Sequence, residues 1–156
     1  MQDSLRELYQ EVILDHGRHP RNFRAVPQAP NQAKGNNPMC GDRIQVYLTL
    51  DADGHIADAA FDGRGCAISQ ASASLMTEIL PGKTREEALA LFRALHELCT
   101  KEHYDVAAHA DADPEAMERL AVLSGVREFP MRVKCATLAW HTMKAALAGE
   151  GKATTE

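Results

Sequence analysis

Asn36-Asn37-Pro38-Met39-Cys40-Gly41-Asp42, residues 36–42, is a turn-forming run that sets a thiol and a carboxylate two residues apart. Asn-Pro favours turn initiation, Pro38 fixes its own φ, and Gly41 frees the backbone between the two side chains, so both can reach one point. Thiolate with carboxylate suits zinc or iron better than calcium or magnesium, because sulfur is too soft for the hard cations. Two donors are half a site, and the remainder has to come from elsewhere in the chain.

Downstream of this run, Ile44, Val46, Leu48 and Leu50 alternate with Arg43, Gln45, Tyr47 and Thr49. That is the period of a strand with one buried face. Asp51-Ala52-Asp53-Gly54 is turn chemistry, and residues 55–62 return as a weaker strand, with room for a third short strand around 59–62. Gly63-Arg64-Gly65-Cys66 breaks the strand before a helical stretch, 67–80, that Pro81-Gly82 ends. Cys66 stands where that helix begins, and unpaired N–H groups there favour a thiolate. Small Ala and Ser residues in its first turns allow close packing on a neighbour.

Upstream, Ser4 and Glu7 form a capping-box signature ahead of Leu5, Leu8, Tyr9, Val12 and Ile13 at helical spacing. The expected helix covers 4–16 and is closed by Gly17, with His16 and His19 solvated at its end. Pro20, Pro27 and Pro30 then make 17–37 an expected long irregular connection.

In the second half, Thr84 with Glu87 caps a helix running to about residue 100. Cys99 lies at its end and reads as a small hydrophobe, with His96 and Cys99 as a weaker alternative ligand pair. Residues 101–113 turn polar and read as a loop with solvated His103 and His109. Asp113-Pro114 starts a short helix to Gly125, and 131–147 is the last long helix, carrying Cys135 in its first turns. The small, polar stretch 149–156 is expected to be a disordered tail.

With 156 residues, 45% of them hydrophobic, the chain can bury a core as one domain, residues 1–148. A net charge of -5 without clustered Lys and Arg excludes a nucleic-acid surface. No apolar run has membrane-spanning length and the N-terminus has no apolar signal core, so a cytoplasmic protein is expected. Its four cysteines are then reduced thiols, which points to metal binding or sulfur chemistry.

Cys40, Asp42, Cys66 and Cys135 supply four donors, the number zinc prefers in a closed tetrahedral site. Three thiolates and a carboxylate around a divalent cation leave about two excess negative charges. Arg64 and Arg132 are placed to offset them. The spacings from 40 to 66 and from 66 to 135 match no compact zinc-finger pattern, so from the residues alone the site stays open.

The strings Asn37-Pro38-Met39-Cys40-Gly41-Asp42, Gly63-Arg64-Gly65-Cys66-Ala67-Ile68-Ser69 and Arg132-Val133-Lys134-Cys135-Ala136-Thr137-Leu138-Ala139-Trp140 resemble, in order, the three cysteine motifs of the U-type iron–sulfur cluster assembly proteins, the group of IscU, SufU and the NifU N-terminal part. The resemblance implies an α+β fold: a small antiparallel three-stranded sheet, helices on one face, and a metal site exposed at one end. It departs from the IscU pattern at Lys134, where IscU-type proteins carry His, and in the long stretch between the second and third cysteines. Both departures look like SufU.

A SufU-like chain implies zinc on Cys40, Asp42, Cys66 and Cys135. It further implies that Cys40 accepts sulfur from a SufS-type cysteine desulfurase and passes it to a downstream iron–sulfur scaffold. Two alternatives remain: a scaffold holding iron or a labile iron–sulfur cluster on the same ligands, and a binding module with a purely structural zinc.

Overall fold

The computed structural model describes residues 2–154, with side chains described from residue 6. In chain order it runs α1 (Gln2–Arg18), β1 (Asn31–Asn37), β2 (Asp42–Leu50), β3 (Ile56–Arg64), α2 (Ala67–Ile79), α3 (Arg85–Thr100), α4 (Pro114–Leu120), α5 (Pro130–Ala148) and β4 (Lys152–Thr154). Short 3-10 helices occupy Ala107–His109 and Ala121–Glu128. No helix among the described residues is long and apolar enough to cross a membrane.

The sheet has the order β3-β2-β1-β4. Its β1–β2 and β2–β3 pairs are antiparallel, while β4 joins the far edge of β1 in parallel. The α+β class holds, with two corrections to the expected three strands. Residues 31–37, read as irregular, are β1. Residues 152–154, read as disordered tail, are β4, whose partner strand supplies the hydrogen bonds that a polar tail lacks by itself; Lys34 N donates to Gly151 O over 2.9 Å.

Phe61, Val46, Leu48 and Ile44 point from the sheet into a single core with Leu75, Met76, Leu91, Leu95 and Trp140. Trp140 Nε1 donates to Ser72 Oγ (3.2 Å), which in turn donates to the carbonyl of Ala136 (2.6 Å), so the small face of α2 lies directly on α5. Burying those polar atoms is tolerated because each has a partner. A Cβ at Gly35 would overlap Thr142 Oγ1, so α5 presses on β1 where that strand has no side chain.

The connection after α1 is ordered too. Arg24 N donates to Phe61 O and Phe61 N to Asn22 O, one bridge along the edge of β3. Val26 and Ala29 then cover Tyr47 and Ala60 on the sheet's other face.

Helix α1 does not stop at Gly17. That residue sits inside the helix, where a Cβ would come within 3.3 Å of Ala67, so its lack of a side chain serves the approach to α2. The Ser4 side chain of the expected capping box lies outside the described residues. His16 is buried rather than solvated, its Nδ1 2.7 Å from Ser74 Oγ. His109 is largely shielded, paired with Glu97 and stacked on Tyr104, whereas His19 and His103 are exposed as expected. Both caps of the second half form: Thr84 with Glu87 in a reciprocal box, and Asp113 accepting from Glu115 N.

Candidate metal centre

The run 36–42 is the hairpin between β1 and β2. Asn37 pairs with Asp42, and Asn37 O accepts from Gly41 N (2.9 Å) and Cys40 N (3.3 Å). Gly41 takes φ 76°, a left-handed conformation that glycine adopts without steric cost. The turn holds Cys40 exposed at the tip while Asp42, the first residue of β2, is 2% exposed.

Cys135, on the second turn of α5, comes up beneath this hairpin. Its Sγ lies 3.5 Å from Cys40 Sγ, and the donor atoms of Cys40, Asp42 and Cys135 are all within 4.8 Å of one another. Cys66 is the N-cap of α2 and stands outside that tight trio, though it borders the same cavity. Its amide nitrogen donates to Asp42 Oδ1 over 3.1 Å. The open cavity, about 660 Å³, is also lined by Arg64, Arg132, Met39 and Met131. Neither arginine takes part in an ion pair among the described residues.

Asp42 Oδ2 is buried without any hydrogen-bond partner. A buried carboxylate oxygen left unpaired is costly, so such an atom asks for a ligand. Soft sulfurs beside that oxygen fit zinc or ferrous iron.

The thiols are electrically distinct. Cys66 is pulled down to about 5, first by its hydrogen bond with Cys135, against the opposing effect of burial, and further by the N–H groups of Ser69 and Ile68 at the start of α2. Cys135 is pushed up by the same hydrogen bond, by burial and by Asp42 and Cys40. Cys99 is wholly buried and pushed up to about 12 by desolvation, and His96 beside it in sequence is exposed, so that pair forms no site.

Two residues of the centre were not singled out as functional from the sequence. Asn37, wholly buried, turns Nδ2 toward Cys40 Sγ (3.3 Å) and Cys135 Sγ (3.9 Å), an uncharged donor to both sulfurs. Gly65 leaves the space in which Asp42 and Ser69 meet: a Cβ there would overlap Ser69 Oγ and stand 2.9 Å from Asp42 Oδ1. An Asn opening the turn three residues before a cysteine was the available signal for the first. A Gly immediately before a cysteine was the signal for the second.

Comparison with known proteins agrees with this geometry. The chain is 40% identical over 147 residues to the zinc-dependent sulfurtransferase SufU of Bacillus subtilis, covering 94% of each. It is 38% identical to the iron–sulfur cluster assembly scaffold protein IscU of Streptococcus pyogenes, covering 92% of this chain and 84% of that one. Among solved structures, it superposes with a TM-score of 0.77 on a protein described as an iron–sulfur cluster assembly scaffold for the SUF system, from Fervidobacterium islandicum AW-1. The two are 32% identical, over 88% of this chain and 94% of that one. The family model of the NifU-like N-terminal domain matches residues 8–136. That stretch holds all four candidate ligands, and the chain belongs to the NifU-like N-terminal domain family.

Proposed function

We propose that this protein is a zinc-binding sulfur acceptor of iron–sulfur cluster assembly, acting in the cytoplasm on a SufS-type cysteine desulfurase and handing sulfur to a downstream scaffold. The observation that carries the reading is the exposed Cys40 sulfur set against a buried, partnerless Asp42 oxygen and the buried Cys135 sulfur. Cys40, Asp42, Cys66 and Cys135 would hold the metal, which when bound keeps its sulfur ligands deprotonated.

The transfer itself moves one sulfane sulfur. Cys40 thiolate attacks the outer sulfur of the desulfurase persulfide, a new S–S bond forms on Cys40, the old one breaks, and the desulfurase cysteine leaves as a thiolate. Electrons balance without an external oxidant. Cys40 suits the role because it alone of the three sulfur residues is exposed and sits on a four-residue turn, while Cys66 and Cys135 are fixed by helices. Asn37 Nδ2 steadies the attacking sulfur, and Arg64 and Arg132 at the cavity wall reduce the repulsion between two approaching anions.

The test is mass spectrometry after incubation with a SufS-type desulfurase and L-cysteine: about 32 Da is expected on the Cys40 peptide. Cys40→Ala should abolish it. Added mass on Cys99 or Cys135 with Cys40→Ala fully active would sink the proposal. The IscU relative keeps a second reading in view, a scaffold for a labile cluster on the same ligands. Reconstitution with iron and sulfide distinguishes it by a charge-transfer absorbance that a zinc protein lacks. A purely structural zinc predicts no stimulation of any desulfurase.

A further inference from the structure

Below the part covered by Val26 and Ala29, the sheet face turned away from the helices lies open, and its exposed charges are Lys34 on β1, Arg43 on β2, Arg64 on β3 and Lys152 on β4. Lys34 is the direct cross-strand partner of Lys152, and Arg43 of Arg64. Like charges in opposed positions repel, and a protein with 22 acidic side chains has means to neutralise them. It does not: none of the four has an ion-pair partner among the described residues. Among the described residues the acid that lines the groove on this face, Asp62, accepts from Tyr47 Oη (3.2 Å).

A groove of about 590 Å³ runs across Lys34, Arg43 and Lys152, and Arg64 carries the cationic surface to the wall of the metal cavity. The Cys40 turn closes the same β1–β2 hairpin.

From this we infer that the open sheet face is a docking surface for an acidic patch on the sulfur-donating protein, an inference that rests on the function proposed above. A donor delivering a persulfide to Cys40 has to rest its body on a neighbouring surface, and this one carries four uncompensated positive charges in one place. Its four cations are spread over four strands, one on each, which suits a folded partner better than a small anion. A chain of net charge -5 repels nucleic acid as a whole. Opposed charge on the two proteins accelerates encounter and orients it without entering the chemical step.

The experiment compares the wild type with Lys34→Glu/Lys152→Glu, zinc-loaded, using a purified SufS-type desulfurase and L-cysteine, and measures both sulfur transfer and direct binding. The double change replaces one like-charged pair by another, so strand repulsion is kept. Lys34→Gln serves if the double variant does not fold. At low salt the KM for the acceptor should rise about tenfold with kcat and zinc content unchanged, and in 0.5 M salt the difference should shrink below about twofold. Arg85→Glu/Lys144→Glu, on the helices, should leave KM within about twofold. A wild type that takes up sulfur with the double variant indistinguishable from it overturns this inference alone. So does a variant that loses self-association, or binding to a poly-uridine RNA, while its desulfurase kinetics stay the same. A wild type that neither binds the desulfurase nor accepts sulfur overturns this inference and the proposed function together.

Discussion

The amide nitrogen of Cys66 donates to Asp42 Oδ1 across 3.1 Å, tying the first turn of α2 to the first residue of β2. One carboxylate oxygen is thereby used to hold two segments together, and the other, Oδ2, is left without a partner. Asp42 has a structural half and a candidate ligand half, and substitution can separate them.

Asp42→Asn keeps an acceptor for the Cys66 amide but removes the charged donor. Its melting temperature without metal should stay near that of the wild type, while zinc affinity falls at least tenfold. Asp42→Ala should also lose about 1–3 kcal/mol of stability, because the Cys66 N–H is left unpaired. Competition with a chromophoric chelator and thermal unfolding of the metal-free proteins read the two effects apart.

Asn37→Leu removes the donor shared by Cys40 and Cys135 at similar volume. Outer-shell partners of metal ligands are commonly worth 10–100-fold in affinity, so zinc should dissociate roughly that much faster. Circular dichroism should be unchanged. Zinc release timed with a fluorescent chelator checks this, and an unaltered rate would remove Asn37 from the centre.

Cys99 should be inert. Sealed in the core and pushed up to about 12, its thiol stays neutral at physiological pH, so iodoacetamide should label Cys40 in the metal-free native protein well before Cys99. Cys99→Ala should keep full zinc content and lose roughly 1–2 kcal/mol to the small cavity it leaves. Peptide mapping of the alkylated protein and metal analysis settle both points.

His16 gives a pH dependence that is independent of the sulfurs. Burial, first, and the nearby Arg21 lower its affinity for a proton, so the folded chain holds it neutral against Ser74. As pH falls below about 6.5 the unfolded chain binds a proton that the folded chain refuses, and stability declines. Above that pH the contribution is complete. His16→Gln should flatten the difference in urea midpoint between pH 7.5 and pH 5.5. An unchanged slope would show that His16 does not titrate in this window.

Chelation should loosen the protein locally. Structural zinc supplies roughly 10–16 kcal/mol in small fingers that have no core, but here Trp140, Phe61 and Leu95 lie in a core of their own. Far-UV circular dichroism should persist while amides of 38–41 and 63–66 gain hydrogen exchange. A random-coil spectrum would contradict it.

Much of this architecture is written in local signals. The alternation of Ile44, Val46 and Leu48, the Thr84–Glu87 box and the Asp113-Pro114 start each report a short-range preference that the fold respects. Cys40, Asp42 and Cys135, which the structure brings together, each stand in a distinctive string, as does Cys66 at the border of the same cavity. What was hidden is set by contacts far apart in sequence. β1 reads as polar because its inward positions are Ala33, Gly35 and Asn37, kept small or used at the centre where α5 presses on the sheet, so the bulky residues that mark a strand are missing. His16 finds Ser74 across 58 positions, and no neighbouring residue announces that partner.

The last strand, β4, has a consequence for handling the protein. Three residues close the flank of β1, occupying backbone groups that would otherwise offer a template to another chain. Shortening the protein at Gly149 strips that cover, and the bared flank of Lys34–Asn36 becomes a place where copies stitch together, first as pairs and then as insoluble material.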